Sequence, residues 1–289
     1  HAHGGGHVRG ALSVYLARDL IPKLRAGCRP ALRRRLLTSA TELTYLCAFM
    51  CFDDEAHPEA QRYYLTALQM ATENSDPASY AITLRGMSVQ AHALGHHSQA
   101  LQLAELGVAI AHHALPATRR AFLQGQLAVA QAAHADRTEA LTTLAAAERR
   151  IEQTSSATSS PVSLRAPVMG AYHRAAFAYQ QANVRSLLGD TTGAITALKT
   201  STQHRPADER RSRAIVLAHL AELQLASGLR DQAIITWHRF LDDLPLLVCG
   251  RATTALKTMR ALLRPHARNP AAAALLHRAA TFDLRHRAR

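Results

Sequence analysis

Three stretches of fourteen residues decide the fold: LGHHSQALQLAELG (94–107), HADRTEALTTLAAA (134–147) and LGDTTGAITALKTS (188–201). Each starts with a polar turn and runs into an alanine, a packing residue four positions on and a small residue three further. These are Ala100, Ala104, Gly107; Ala140, Leu144, Ala147; and Ala194, Leu198, Ser201. Working outward, Ala60, Tyr64, Ala67 repeats the pattern toward the N-terminus, and Ala233, Trp237, Phe240 keeps the spacing toward the C-terminus but ends in a large residue. The leading alanines are separated by 40, 40, 54 and 39 residues. A helical run precedes each turn, so each copy is a helix, a turn and a second helix. Small side chains must recur because two antiparallel helices pack closely only where small residues face each other at the approach of the axes, with larger ones filling the flanking gaps.

The turn chemistry agrees with this period. The remaining turns are DDEAHP (Asp53 to Pro58) and SGLRD (Ser227 to Asp231), and Gly95, Gly189 and Gly228 stand where a first helix would end in a residue of positive φ. Pro206 and Pro245 stop two of the second helices. The 54-residue step contains IEQTSSATSSPVSLRAP (151–167), whose Ser/Thr cluster from Thr154 to Ser160 reads as a flexible insertion at 154–167. Because the repeat resumes unchanged after it, an inserted loop is preferred to a linker between two domains.

The pattern resembles the tetratricopeptide repeat, whose first helix carries a small residue at its centre and whose second begins at an alanine. The matching first-helix residues are Ala48, Ser88, Ala128, Ala182 and Ala221, paired with Ala60, Ala100, Ala140, Ala194 and Ala233 of the second helices. The resemblance implies an all-α fold, a right-handed α-solenoid of about five helix-turn-helix units with capping helices at both ends. It divides the chain into an N-terminal helix within residues 1–30, an array over 31–245, and basic C-terminal capping helices over 246–289 (Ala252 to Leu263 and Ala271 to His286). This sequence departs from the family in its period of 39 to 40, against about 34, and in lacking most of the usual first-helix Trp and Tyr. Val8 to Leu24 is amphipathic, with Leu12, Tyr15, Leu16, Leu20 and Leu24 on one face. As the chain begins at His1 without a methionine, that helix is expected to be half of a truncated repeat.

Composition excludes disorder and a membrane span. The chain is 48% hydrophobic and 19% charged, with 14 Gly and 11 Pro in 289 residues, and it shows neither an uncharged run of 18 apolar residues nor a signal-peptide layout. A soluble, cytoplasmic protein with no membrane contact is expected. Cys28, Cys47, Cys51 and Cys249 form no CxxC pair and read as reduced core thiols. The net charge of +13 comes almost wholly from arginine and is concentrated after Cys249, where nine basic residues face one acid. Arg251, Lys257, Arg260 and Arg264 are the candidate basic patch, for phosphate or an acidic protein face, with a solvated capping helix as the equal alternative.

No enzyme motif is present. HGGGH (3–7) follows no strand and carries no lysine, and there is no HExxH or GxSxG. His57-Pro-Glu59 is one piece of a zinc-deaminase pattern without the PCxxC that completes it. The adjacent pairs His96–His97 and His112–His113 diverge on a helix, and His1, His3 and His7 form at most an adventitious metal site. The sequence therefore points to no catalytic residue, no metal and no cofactor.

The resemblance also implies a ligand groove lined by first helices. It places there Glu42, Tyr45, Phe49 and Phe52; Ile82, Arg85, Val89 and His92; Phe122, Gly125, Val129 and Ala132; Ala176, Tyr179, Asn183 and Ser186; and Ile215, Ala218, Glu222 and Leu225. Asn183 matches the asparagine with which peptide-binding members hold a peptide backbone, an amide being both donor and acceptor; the alternative is a bond to a neighbouring helix or water. Arg85 is suited to a bidentate carboxylate, or to Glu42 of the same chain. Tyr45, Phe49 and Tyr179 are apolar anchors or core.

Residues 4–24 (GGGHVRGALSVYLARDLIPKL) and 33–71 (RRRLLTSATELTYLCAFMCFDDEAHPEAQRYYLTALQMA) resemble the repeat region of actinobacterial regulators in which a helix-turn-helix domain precedes a tetratricopeptide array. This implies a sensing or dimerisation part of a bacterial transcriptional regulator that binds a protein or peptide in its concave groove, with DNA contacted only by a region upstream of His1 and a homodimer as one assembly. The alternatives are a stand-alone scaffold and a nucleic-acid module acting through the basic C-terminus.

Overall fold

A computed structural model describes residues 8–27, 29–111, 115–156 and 172–287, and all regular structure among them is helical. Its framework begins with one hydrogen-bonding device repeated at six helix ends. The N–H of residue 56, 76, 96, 136, 190 or 229 bonds the carbonyl five residues earlier, and the preceding N–H bonds the carbonyl three residues before it. This is a Schellman close, and it needs a residue of positive φ at its penultimate position. Gly95, Gly189 and Gly228 supply that conformation at φ 81°, 81° and 77°, whereas Glu55, Ser75 and Ala135 adopt it at 61°, 50° and 67° without being glycine. The Asp76 and Asp190 side chains then accept from Ser79 N at 3.0 Å and Gly193 N at 2.8 Å, capping the helices that follow.

Five hairpins result: α3 (Pro30–Asp53) with α4 (His57–Glu73), α5 (Pro77–Ala93) with α6 (His97–Ala111), α7 (Ala117–Ala133) with α8 (Arg137–Ser156), α9 (Arg174–Leu187) with α10 (Thr191–Gln203), and α11 (Arg210–Ala226) with α12 (Arg230–Asp243). Ala48, Ala60, Ser88, Ala100, Ala128, Ala140, Ala182, Ala194, Ala221 and Ala233 are each 0% exposed. The Ser88 hydroxyl donates to the Ala100 carbonyl at 2.8 Å across the second hairpin. The last hairpin tolerates Phe240 at a small-residue position because Phe240 and Trp237 join a cluster with Leu256, Met259, Leu263 and Leu275 of α13 (Gly250–Leu263) and α14 (Pro270–Arg287).

Ahead of the hairpins lie α1 (Arg9–Tyr15), a π-helical turn (Leu16–Leu20) and α2 (Ile21–Arg25). Leu16, Leu20 and Leu24 pack on Leu37, Ala40 and Cys47 of α3. The π turn rotates the amphipathic face, so Tyr15, expected on it, is instead 45% exposed. Most of the insertion at 154–167 lies outside the described residues, as do His1, His3, His7, Cys28, His112 and His113, while α8 continues to Ser156. Among the described residues no helix is long and apolar enough to cross a membrane.

The ends of the array meet. Arg211 at the start of α11 forms a buried ion pair with Asp53 at the end of α3, 158 residues earlier in sequence. The Cys249 thiol donates to the Asp53 carbonyl at 3.6 Å, and Thr254 Oγ1 donates to Glu55 Oε2 at 2.7 Å. Gly250 lies so close that a Cβ there would stand 2.6 Å from the Asp54 carbonyl carbon and oxygen. Thus α13, expected only to cap the last hairpin, also closes the array onto its first turn.

Candidate ligand-binding cavity

Closure curls the concave face around a deep, partly open recess. One cavity of about 210 Å³ is lined by Tyr45, Phe49 and Phe52 of α3, Arg85 of α5, Phe122 of α7, Tyr172 and Tyr179 around α9, Arg205, Arg211 and Ile215 before and in α11, and Arg251 of α13. A second, of about 360 Å³, shares Phe52, Arg85, Val89, Tyr179, Gln180 and Arg251, and extends past His92, Gln126, Asn183, Ser186 and His219. The two are parts of one space walled by aromatic rings and guanidinium groups. Among the described residues no Asp or Glu lines either part.

Arg85 organises the middle of the wall. Its Cζ lies 3.5 Å above the Phe122 ring centre, and its Nε donates to the Phe122 carbonyl at 3.2 Å. Gln180 lies between Arg85 and Tyr172; the orientation that satisfies both has its oxygen accepting from Arg85 Nη2 at 3.2 Å and its nitrogen donating to the Tyr172 hydroxyl. Gly125 makes room for this amide, since a Cβ there would stand 1.9 Å from Gln180 Oε1. Part of Arg85 opens onto the cavity, yet protein surrounds it; that desolvation lowers its pKa, opposed by the nearby hydroxyls of Tyr45, Tyr172 and Tyr64. Burial likewise raises the Tyr45 hydroxyl, opposed by the charge and hydrogen bond of Arg85. At the other end burial lowers the His219 imidazole, whose ring stands edge-on to Tyr179 at 6.2 Å.

The guanidiniums nearest the seam are held differently. Arg205 donates to Glu209 Oε2 at 2.7 Å, Ser201 Oγ at 2.9 Å and the Ala175 carbonyl at 3.1 Å, leaving its buried Nε without a partner. Arg211, paired with Asp53, also has an unpartnered buried Nε, and lies 5.0 Å from the Phe49 ring centre. Burial and the neighbouring charge of Arg251 lower the Arg211 pKa. Arg251 itself lies 5.2 Å from the Phe52 ring centre and makes no hydrogen bond or ion pair among the described residues.

Of the residues singled out from sequence, Tyr45, Phe49, Arg85, Tyr179 and Asn183 are brought together around this interior. Asn183 is half-buried and its amide makes no hydrogen bond among the described residues. Glu42 and Glu222 line neither part, and Arg85 pairs with the Phe122 carbonyl and Gln180, not with Glu42. Burial raises the Glu222 carboxyl. Ile82, Ala132 and Ala218 are buried in packing, and Leu225 borders a separate recess with Gly228 and His266. The basic residues of α13 are not brought together: Arg251 turns inward, Arg260 donates to the Ala279 carbonyl, and Lys257 and Arg264 are exposed. Sequence reading missed Tyr172, Gln180, Arg205 and Arg211. Arg211 stands four residues before the groove position Ile215, on the same helical face, so one more turn of the same periodicity finds it. Among the described residues no cluster of three His, Cys, Asp or Glu is placed to hold a metal.

The sequence matches no family model and no curated protein. Among solved structures, a Rap protein complexed with competence and sporulation factor is similar with a TM-score of 0.60 at 16% identity, over 87% of this chain and 68% of that one. BtubC from P. vanneervenii is similar with a TM-score of 0.53 at 14% identity, over 81% and 90%. A putative kinesin light chain of TPR-like repeats from Podosopora anserina has a TM-score of 0.43 at 19% identity, over 73% and 95%. The likenesses to the Rap protein and BtubC show the fold, a solenoid of stacked helix hairpins.

Proposed function

We propose that this chain is a binding module that holds a short peptide inside its closed array, and that it is the sensing part of a bacterial transcriptional regulator. The carrying observation is the interior itself. Five hairpins direct aromatic rings, unpaired donors and the free amide of Asn183 into one space, while no nucleophile–base pair or metal cluster accompanies them among the described residues. Such a constellation favours binding over catalysis. The similarity to a Rap protein complexed with competence and sporulation factor supports a binding role for such an array. The regulatory role rests on the resemblance of residues 4–24 and 33–71 to regulator repeat regions.

Native mass spectrometry of the purified chain, alone and with a randomised hexapeptide pool, tests the first part. Retained peptide is expected, with retention reduced by Asn183→Ala; a chain that retains none, or retains it equally in a variant with Phe49→Arg inside the cavity, overturns the reading. For the second part, the gene is expected to encode a helix-turn-helix segment upstream of His1. The basic α13 gives little support to nucleic-acid binding, because Arg251 faces the interior.

A further inference from the structure

From the convergence of guanidinium groups at the seam, we infer that the cavity recognises a free carboxylate on an apolar or aromatic body, held by Arg251 beside the charge of Arg211. This deepens the proposed function and rests on it. Four guanidiniums line the smaller part of the interior, and the acids touching them are Glu209 on Arg205 and Asp53 on Arg211. Arg85 is committed to the wall through the Phe122 carbonyl and Gln180. Arg251 alone keeps its whole guanidinium free of hydrogen bonds and ion pairs among the described residues, beside Arg205 and Arg211, whose side chains are only 4% and 9% exposed.

Like charges brought together in a protein interior oppose each other, and Arg211 and Arg251 line the same cavity. An anion placed beside them accepts from Arg251 and offsets the repulsion between Arg211 and Arg251. Phe49 and Phe52 lie beneath those same two guanidiniums, so whatever carries the anion meets apolar ring faces directly beside it. That pairing matches a carboxylate attached to an apolar group: the C-terminus of a peptide ending in Phe, Leu or Tyr, or a small aromatic acid. These guanidiniums come from the α10–α11 connection, the first turn of α11 and the first turn of α13, and closure of the array sets Phe49 and Phe52 of α3 against the last two.

The test compares three probes by calorimetry at low and moderate salt: a pool of hexapeptides ending in Phe, Leu or Tyr as free acids, the same pool as C-terminal amides, and N-acetylphenylalanine. The acid pool is expected to bind at least about tenfold more tightly than the amide pool, and Arg251→Met to remove that preference without lowering the melting temperature, since it also removes the charge opposing Arg211. N-acetylphenylalanine binding as tightly as the acid pool assigns the site to small acids; weaker binding assigns it to peptide C-termini. Equal binding of acids and amides overturns the carboxylate inference while leaving peptide binding in place. Failure of all three overturns both.

Discussion

At Ala135 the chain adopts a conformation that its side chain disfavours. Its φ of 67° occupies the helix-closing position where Gly95, Gly189 and Gly228 stand in other units. An L-residue with a Cβ loses about 1–2 kcal/mol in that region, partly offset because glycine loses more freedom on folding. Ala135→Gly is therefore expected to stabilise the fold by about 0.5–1 kcal/mol, a rise of about 1–3 °C in a thermal melt; an unchanged or lower melting temperature would show that the turn is held by other contacts. Glu222 gives a second residue-scale test. Its carboxyl is raised in the folded state by burial, so folding favours the protonated form and stability falls as pH rises from the unfolded carboxylate value through the folded one. Glu222→Gln should stabilise the protein at neutral pH, with the gain disappearing below about pH 4; a gain independent of pH would assign the effect to packing. The local features at this scale were readable from sequence, because turn glycines and small helix-contact residues depend on neighbours a few positions away. The three non-glycine closures were harder to read, since Glu55, Ser75 and Ala135 carry no compositional signal of positive φ.

At the scale of elements, each first helix presents one face to its partner and another to the interior, and the spacing from Ala48, Ser88, Ala128, Ala182 and Ala221 separates the two. That arithmetic located Tyr45, Phe49, Arg85, Tyr179 and Asn183 at the cavity, but placed Glu42 and Glu222 beside them although they lie outside it. A position count specifies an angle around one helix, whereas the cavity is bounded along the helices too. Contacts between distant elements were not legible at all. Asp53 read as a turn residue, and nothing local links it to Arg211. Removing one partner of a buried pair leaves a desolvated charge, which costs about 3–5 kcal/mol, whereas replacing both with apolar residues is often nearly neutral. Asp53→Leu alone is thus expected to lower stability by about that amount, and adding Arg211→Met to restore most of it. Denaturant titration of both singles and the double gives the coupling; additive losses would show that the pair does not carry the contact between α3 and α11.

The whole molecule differs from an open solenoid in one respect: its first hairpin touches the last hairpin and α13. In an open array each unit contacts only its neighbours, so stability is a sum of unit and interface terms and the ends fray independently. Here α13 rests on the turn between α3 and α4 through Gly250, Cys249 and Thr254, while Arg211 reaches the same turn from α11. Opening the seam therefore exposes both ends and separates the two halves of the cavity wall, linking stability to binding. Gly250→Val tests this at a point where no flexible side chain can move aside, because the atoms met at 2.6 Å are the Asp54 backbone. The variant should keep its helical circular dichroism, since each hairpin retains its own small-residue contacts. Its denaturant transition should become broader than that of the parent, and amide exchange should rise first in α3, α4 and α13, with α7 and α8 protected longest. Peptide retention should fall with it, as Arg251 and Phe52 stand on opposite sides of the seam. A variant with an equally sharp transition and parental exchange in α3 and α13 would mean that closure contributes nothing to cooperativity, and that the interior is held in shape by the hairpin interfaces alone.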